Sequence, residues 1–440
     1  MPEEHLEPGL PSSAVQPRLT PTEAAERIDT LDILRGFALF GILAVNMFFF
    51  ANPFMLVFAE ETAWTAPIDR AASFVIELFC QSKFYSLFSL LFGYGAALQM
   101  LRLSARGKRF GGFYLRRLFV LFLIGAAHVV FLWPGDILIM YSMVGVALLL
   151  FHKRRDKTLL VWAVICLVAV AFVITGLSGL SLLAGRTHET STATSQGADS
   201  GAEPESELFS EEEIKASIER SNRTYSEGTY GEIIEQHVED YVFSFLIAAF
   251  FMFPSILGMF LVGFYAGRRG LLRDPSAHRV LIRRVLIWGS IVGVLFNLAM
   301  VIADSLTAPF EESMVGLLFL WGWNIGAPAL CLAYVAAMVT LLQADKWHRR
   351  LRPLAAVGRM ALTNYLLQSL ICTTIYNSYG LGFFGKVGPA VGLLLTVAIF
   401  ALQIPLSNFW LRHFRFGPAE WLWRSLTYGR AQGMKSGVGA

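Results

Sequence analysis

A few polar side chains set in apolar surroundings carry whatever chemistry this chain performs. His128 follows Gly125-Ala126-Ala127 inside a long apolar run, and Asp136 comes eight residues later, beyond Trp133-Pro134-Gly135. The Pro134-Gly135 turn can fold that carboxylate back onto the imidazole. An aspartate so placed orients a histidine and raises its basicity, as a general base requires. A purely structural hydrogen bond would use the same pair. Of the eight histidines, His128 is the one that falls within an apolar span. Arg35 lies in Leu31-Asp32-Ile33-Leu34-Arg35-Gly36, and Asp32, three residues earlier, shares its helix face and can pair with it. Arg35 reads either as an interface anchor that snorkels or as a guanidinium for an anionic group such as a phosphate. Asn46 sits about three turns further along the same helix, where it needs a hydrogen-bond partner from a neighbouring helix or a ligand. Lys83 and Glu77 lie near the opposite surface, while Arg116, Arg117 and the stretch from Arg102 to Arg109 gather at the basic ends of their helices.

The elements that must position these groups are membrane helices. Of 440 residues, 55% are hydrophobic and 16% charged, and the mean hydropathy is +0.54. Soluble domains are about 45–50% apolar and about 25% charged. Much of the surplus falls in runs of about twenty residues, the length that crosses a bilayer as a helix. A soluble enzyme, a nucleic-acid-binding protein and a disordered chain are excluded. The expected fold is all-α, a polytopic bundle of ten helices over 31–51, 72–101, 113–133, 135–151, 158–183, 241–267, 280–303, 313–342, 361–378 and 388–410. The second span is too long for one crossing and holds Glu77, Gln81, Ser82 and Lys83, so its first part is expected along the interface, with the crossing starting at Phe84.

Orientation follows from Lys and Arg. With the amino terminus inside, 28 of the 36 fall on inside segments, in alternation at every loop. Both termini are therefore expected in the cytoplasm. Residues 1–30 read as a cytoplasmic tail with no cleaved signal peptide, 31–183 as an amino-terminal five-helix half, 241–410 as a second five-helix half, and 411–440 as a cytoplasmic tail. Between the halves, residues 184–240 form an acidic outer loop with 14 acidic and 4 basic residues. Its first part, 186–207, lacks apolar periodicity and reads as disordered; 208–238 can form surface helices. The loop serves as a solvated linker or as a cap for substrate or partner. The halves show no convincing mutual similarity. Cys80, Cys166, Cys331 and Cys372 have no CxxC spacing, so neither a metal site nor a disulfide framework is expected. No GxxxxGK[ST] loop, HExxH or serine-nucleophile elbow occurs. Gly258, Gly263 and Gly267 form a small-residue face suited to helix packing.

Several segments are familiar. Leu31 to Asn46 (LDILRGFALFGILAVN) resembles the opening helix of the YeiB-like family of bacterial inner-membrane proteins, the domain of unknown function 418. Lys83 to Gly93 (KFYSLFSLLFG), Gly125 to His128 with Trp133 to Leu138 (WPGDIL), Gly358 to Ser369 (GRMALTNYLLQS) and Phe416 to Arg424 (FGPAEWLWR) resemble its further signatures, in order and along nearly the whole chain. The acidic loop has no counterpart. The Asp-x-x-Arg-Gly opening with a later Asn is also similar to the heparan-α-glucosaminide N-acetyltransferase group of transmembrane acyltransferases. That resemblance implies ten or eleven helices, acyl transfer from cytoplasmic acyl-CoA to an acceptor on the far side, Arg35 on the donor path and Asn46 at the reaction centre. One departure stands out. That group carries its catalytic histidine after the first helix, before a Trp and an Asp, whereas residues 47–70 here hold Trp64 and Asp69 but no histidine.

The expected function is a membrane acyltransferase. Asp32, Arg35, Arg116 and Arg117 would meet the phosphates of an acyl-CoA donor substrate. His128, oriented by Asp136, would act as base, and Asn46 or Lys83 would stabilise the oxyanion. The acceptor would be a small molecule, glycan or lipid. Expected partners are membrane lipids and a second copy of the chain in a homodimer, without nucleic acid or metal. The competing expectation is a proton-coupled transporter of a small metabolite or lipid with His128–Asp136 as coupling pair. A third is a scaffold whose acidic loop binds a partner.

Overall fold

A computed structural model describes residues 28–59, 64–107, 109–192, 210–304 and 314–435. The tail before residue 28 and most of 186–207 lie outside them. The fold is an all-α polytopic membrane bundle. Among the described residues, eight helical stretches are long and apolar enough to cross a membrane. In chain order the helices begin with α1 (Asp29–Ala51), α2 (Pro67–Phe79), α3 (Lys83–Ala105), α4 (Phe110–Phe131), α5 (Leu138–Leu148) and α6 (Asp156–Thr192). Then come α7 (Glu211–Glu227), α8 (Tyr230–Arg269), α9 (Arg279–Asp304), α10 (Met314–Trp321), α11 (Ala327–Leu342) and α12 (Asp345–Leu351). The last four are α13 (Pro353–Arg359), α14 (Ala361–Tyr376), α15 (Pro389–His413) and α16 (Pro418–Tyr428). Of the ten expected spans, α5 with 11 residues and α14 with 16 are the two that fall short of a full crossing length. Leu150, Trp288, Leu394, Leu402 and Phe409 stand outward and exposed, as side chains facing lipid do.

Two expected spans are broken. Between α2 and α3 the chain turns at Ser82, whose φ of 66° lies in the left-handed region. This separates an amphipathic stretch, with Ile68, Phe74, Val75 and Phe79 exposed, from the buried α3. Residues 313–342 are interrupted by a π-helical turn, Gly322–Gly326, between α10 and α11. Within the described residues 210–240, the acidic segment is helical over 211–227 and from 230 onward. Ser210 and Thr229 start α7 and α8 with capping boxes completed by Glu213 and Glu232. Buried Tyr225 then holds α7 down. Its hydroxyl donates to Asp240 at 2.6 Å, and its carbonyl accepts from the Ser378 N–H. Helix α8 begins at Tyr230, and His237 lies in its acidic first turns, buried against Tyr225.

Helices meet closely where glycine removes the side chain. A Cβ at Gly263 would stand 1.9 Å from the Leu90 carbonyl oxygen, and one at Gly93 2.0 Å from that of Phe260. Thus α3 and α8 touch backbone to backbone, and the Gly263/Gly267 face is filled by the chain's own α3. A homodimer would need another surface. Gly36 and Gly358 do the same for α1 and α13, with Cβ positions 2.2 Å from Leu354 O and 1.8 Å from Asp32 O. Replacing Gly263 by Leu should therefore cost about 1–3 kcal/mol or more and lower the melting temperature in detergent by several degrees. Gly176→Ala on α6, where a Cβ meets nothing within 4 Å, should leave it unchanged or slightly raised.

Candidate functional site

His128 sits near the end of α4, and the Trp133–Ile137 turn reverses the chain into α5. Asp136 thereby returns to the imidazole, its Oδ2 2.9 Å from His128 Nδ1. Asp136 Oδ1 accepts the Ile139 N–H at 2.9 Å, fastening the first turn of α5. Both side chains are 0% exposed. Gly125, one turn before His128, is small because Asp136 Oδ1 and Ile139 occupy the space a Cβ would fill. The space beside His128 thus goes to its partner carboxylate rather than to a ligand.

The third member of the arrangement comes from the other half of the chain. Ser369 Oγ on α14 lies 2.8 Å from His128 Nε2. With a neutral imidazole and an ionised Asp136, which offers only acceptors, Nδ1 carries the imidazole hydrogen and Nε2 accepts from the serine hydroxyl. Sequence reading missed Ser369, although it closes the quoted GRMALTNYLLQS segment. The available signal was the density of polar residues on α14. Asn364 donates to Ser407 at 3.0 Å, Gln368 to Gln403 at 2.8 Å, and Gln403 to the Asn364 carbonyl at 3.0 Å, all buried. This network pins α14 to α15 and sets the register that presents Ser369.

A cavity of about 330 Å³ opens at the opposite end of α4, among α1, α3, α4, α13, α14 and α16. Its wall carries six arginines, Arg35, Arg102, Arg117, Arg359, Arg415 and Arg424, against two carboxylates, Asp32 and Glu420. Arg35 pairs with Asp32 at 2.8 Å. Glu420 is buried and already committed. It accepts the N–H groups of Leu362 and Thr363 at 2.7 and 3.1 Å and the Thr363 hydroxyl, capping α14 from a distant helix. Burial pushes its carboxyl upward, against those bonds, and burial also lowers the Arg424 guanidinium. Arg117 lies over Trp423 at 4.1 Å, and Arg424 over Phe416 at 4.7 Å. The Trp423 indole donates to the Arg117 carbonyl at 2.9 Å. The Arg359 Nε is buried without a partner among the described residues. Six cations so placed repel one another unless an anion joins them.

Inward, the wall turns apolar at Leu39, Ile42, Leu121 and Leu138, and Tyr365 lies on it. Tyr365 also faces His128, with ring centroids 5.1 Å apart. Tyr365 thus links the cavity wall to His128, which, like Ser369, does not itself line the cavity. Beyond that pair, an apolar plug of Met47, Phe50, Trp133, Cys372, Tyr376 and Phe384 fills the far end. Asn46, half-buried, stands one turn past Ile42, the last α1 residue on the cavity wall. Lys83 is buried and donates to the Glu77 carbonyl at 2.6 Å, and Arg116 is exposed beside Gly429; neither lines the cavity. Asp69 caps α15 by accepting from the Ala390 N–H at 2.9 Å, and Trp64 packs at Gly388, so this pair shapes a helix start. Among the described residues no group of three or more His, Cys, Asp or Glu could hold a metal.

Comparison with known proteins places this arrangement. A protein-family profile described as "Protein of unknown function (DUF418)" matches residues 266–430. The uncharacterized protein YxaH of Bacillus subtilis (strain 168) is 37% identical over 426 residues, covering 93% of this chain and 96% of that protein. The chain belongs to the YeiB-like DUF418 family. The uncharacterized protein YeiB of Escherichia coli (strain K12) is 32% identical over 407 residues, covering 91% of this DUF418 chain and 96% of its own. An uncharacterized 39.9 kDa protein in the amylase 3' region of Bacillus acidopullulyticus is 28% identical over 417 residues. The DUF418 profile takes in Tyr365, Ser369 and the α16 arginine wall, while His128 and Asp136 lie outside it, in the stretch the full-length relatives cover.

Glu420→Ala should leave two buried N–H groups at the start of α14 unpaired, a loss of about 1–3 kcal/mol. Thermal unfolding in detergent reads it, and Glu420→Gln should recover part of the loss.

Proposed function

We propose that this DUF418 protein is a membrane acyltransferase that takes an acyl group from acyl-CoA and passes it to an acceptor at or beyond the far face of the membrane. The observation that carries the reading is a cavity whose wall is lined by six arginines, by an apolar stretch and by the tyrosine that packs against His128. An acyl-CoA has matching parts: phosphates, a slender arm and an apolar acyl end. From Arg117 to His128 the chain climbs eleven residues of α4, about 16 Å at 1.5 Å per residue. A small cavity suits the arm and acyl group, with the nucleotide at the arginine mouth. His128 accepts the proton of the attacking hydroxyl or amine, and Asp136 keeps Nδ1 protonated so that Nε2 is the base. In this reading the protein lies in the bacterial inner membrane with ten crossings, the arginine mouth and both termini facing the cytoplasm. The acceptor, a small molecule, glycan or lipid, approaches past the apolar plug.

Proton-coupled transport is the second reading, favoured by one observation. His128 and His237 are buried against the apolar plug, and the Asp136 side chain is fully covered, as in a carrier with one gate shut.

Binding of acetyl-CoA and CoA to detergent-purified protein separates the two. Arg117→Gln should weaken CoA binding about tenfold to a hundredfold, the loss of one charge-assisted contact of about 1.5–3 kcal/mol. His128→Ala should bind CoA as the wild type does and lose transfer. A wild type that binds no CoA, together with pH-driven flux in proteoliposomes, would sink the acyltransferase reading.

A further inference from the structure

We propose that Ser369 is the nucleophile of this site and carries the acyl group as a covalent ester between donor and acceptor. The inference rests on the acyltransferase reading above and adds an intermediate to it.

The geometry has the three parts that activate a serine: a hydroxyl on a base, the base on an orienting carboxylate, and burial around all three. Ser369 Oγ is 2.8 Å from His128 Nε2, and His128 Nδ1 is 2.9 Å from Asp136 Oδ2. Each member is separately held. Asp136 is tied to the Ile139 N–H, and Ser369 rides on α14, which Glu420 caps and the Asn364–Ser407 and Gln368–Gln403 bonds lock. Helix α14 brings Tyr365 to the cavity wall and Ser369 one turn beyond it. A serine present only to cap a helix carbonyl would not need the histidine. Its alternative partner, the Tyr365 carbonyl, is at 3.4 Å, much the longer contact.

The step balances without a further reagent. Ser369 Oγ attacks the thioester carbonyl carbon while its proton passes to His128 Nε2. The C–S bond breaks, and the CoA sulfur leaves with that proton, leaving an ester on Ser369. The acceptor's hydroxyl or amine then gives its proton to His128 and attacks the ester carbonyl. The C–Oγ bond breaks, and the proton returns to Ser369. Asp136 is a positioning residue, acting through His128. With the acyl group parked on the protein, donor and acceptor need never occupy the bundle together. That suits a site whose two ends are a cationic mouth and an apolar plug.

The test uses the full-length protein in detergent, incubated with acetyl-CoA, quenched in acid and mapped by peptide mass. A parallel sample is treated with a fluorophosphonate. Acetyl should appear on the peptide holding Ser369, and labelling should fall about a hundredfold or more in His128→Ala. It should vanish from Ser369→Ala. Ser369→Cys should keep the label as a thioester that neutral hydroxylamine releases, which also shows that the bundle still folds. Acetyl on His128 instead of Ser369, or equal transfer by wild type and Ser369→Ala, overturns the proposal while acetyl-CoA binding upholds the enzyme reading. Fluorophosphonate on Ser369, dependent on His128, with no acetyl-CoA binding keeps the nucleophile and removes CoA as its donor. Neither label overturns the proposal outright.

Discussion

A buried carboxylate with no water to solvate it must find hydrogen-bond donors, and in this bundle Asp136 finds two. One is His128 Nδ1 and the other is the backbone N–H of Ile139. Meeting that demand fixes several things at once. The chain must reverse tightly after α4, which Pro134 and Gly135 permit. Helix α5 must begin where Asp136 can cap it, and position 125 must be glycine-sized, because the carboxylate lies against it. The imidazole is left with one orientation and one basic nitrogen, and that nitrogen points to the half of the chain where α14 passes.

The cationic mouth obeys a second constraint. Of the six guanidiniums around one small space, three are held in place by aromatic faces and the Asp32 carboxylate. Trp423 and Phe416 support Arg117 and Arg424, while Asp32 pairs with Arg35. Glu420 spends its hydrogen bonds on the first turn of α14 while its charge acts on Arg424. Gly417 is needed there for a steric reason: a Cβ would run into the Glu420 carboxylate and the Thr363 hydroxyl. The FGPAEWLWR segment is thus a wall built from the far end of the chain. The site is continuous with it through α14.

Close packing supplies the rigidity these contacts need. In a membrane, lipid competes equally for apolar side chains, so helices associate where small residues let backbones approach and where polar groups bond across. Gly93 and Gly263 do the first for α3 and α8; Asn364, Gln368, Gln403 and Ser407 do the second for α14 and α15. Folding α7 back onto the 377–388 turn through Tyr225 covers the apolar plug and closes the end away from the arginines.

Long apolar runs, the break before Lys83, the Asp32–Arg35 pair and the His128–Asp136 pair were legible from residue order, because each depends on neighbours at most a dozen positions apart. Membrane helices satisfy their own backbones, so an apolar run of sufficient length is a helix whatever surrounds it. The family was legible for a similar reason, since its motifs are short and contiguous. Long-range geometry was not. Ser369 meets His128 across 241 positions, and the polar density of α14 marks the helix without saying which of its side chains reaches the histidine. Arg116 and Arg117 are adjacent in sequence, yet one faces outward and the other the cavity, a difference of about 100° around the helix that depends on where α16 docks. Lys83 reads as a catalytic cation until the Glu77 carbonyl is seen beside it. Sequence alone determined which segments are apolar helices and which groups are costly to bury. Only the tertiary structure decided which of those groups meet, because a polar side chain in lipid takes whichever partner the packing of distant helices brings within reach.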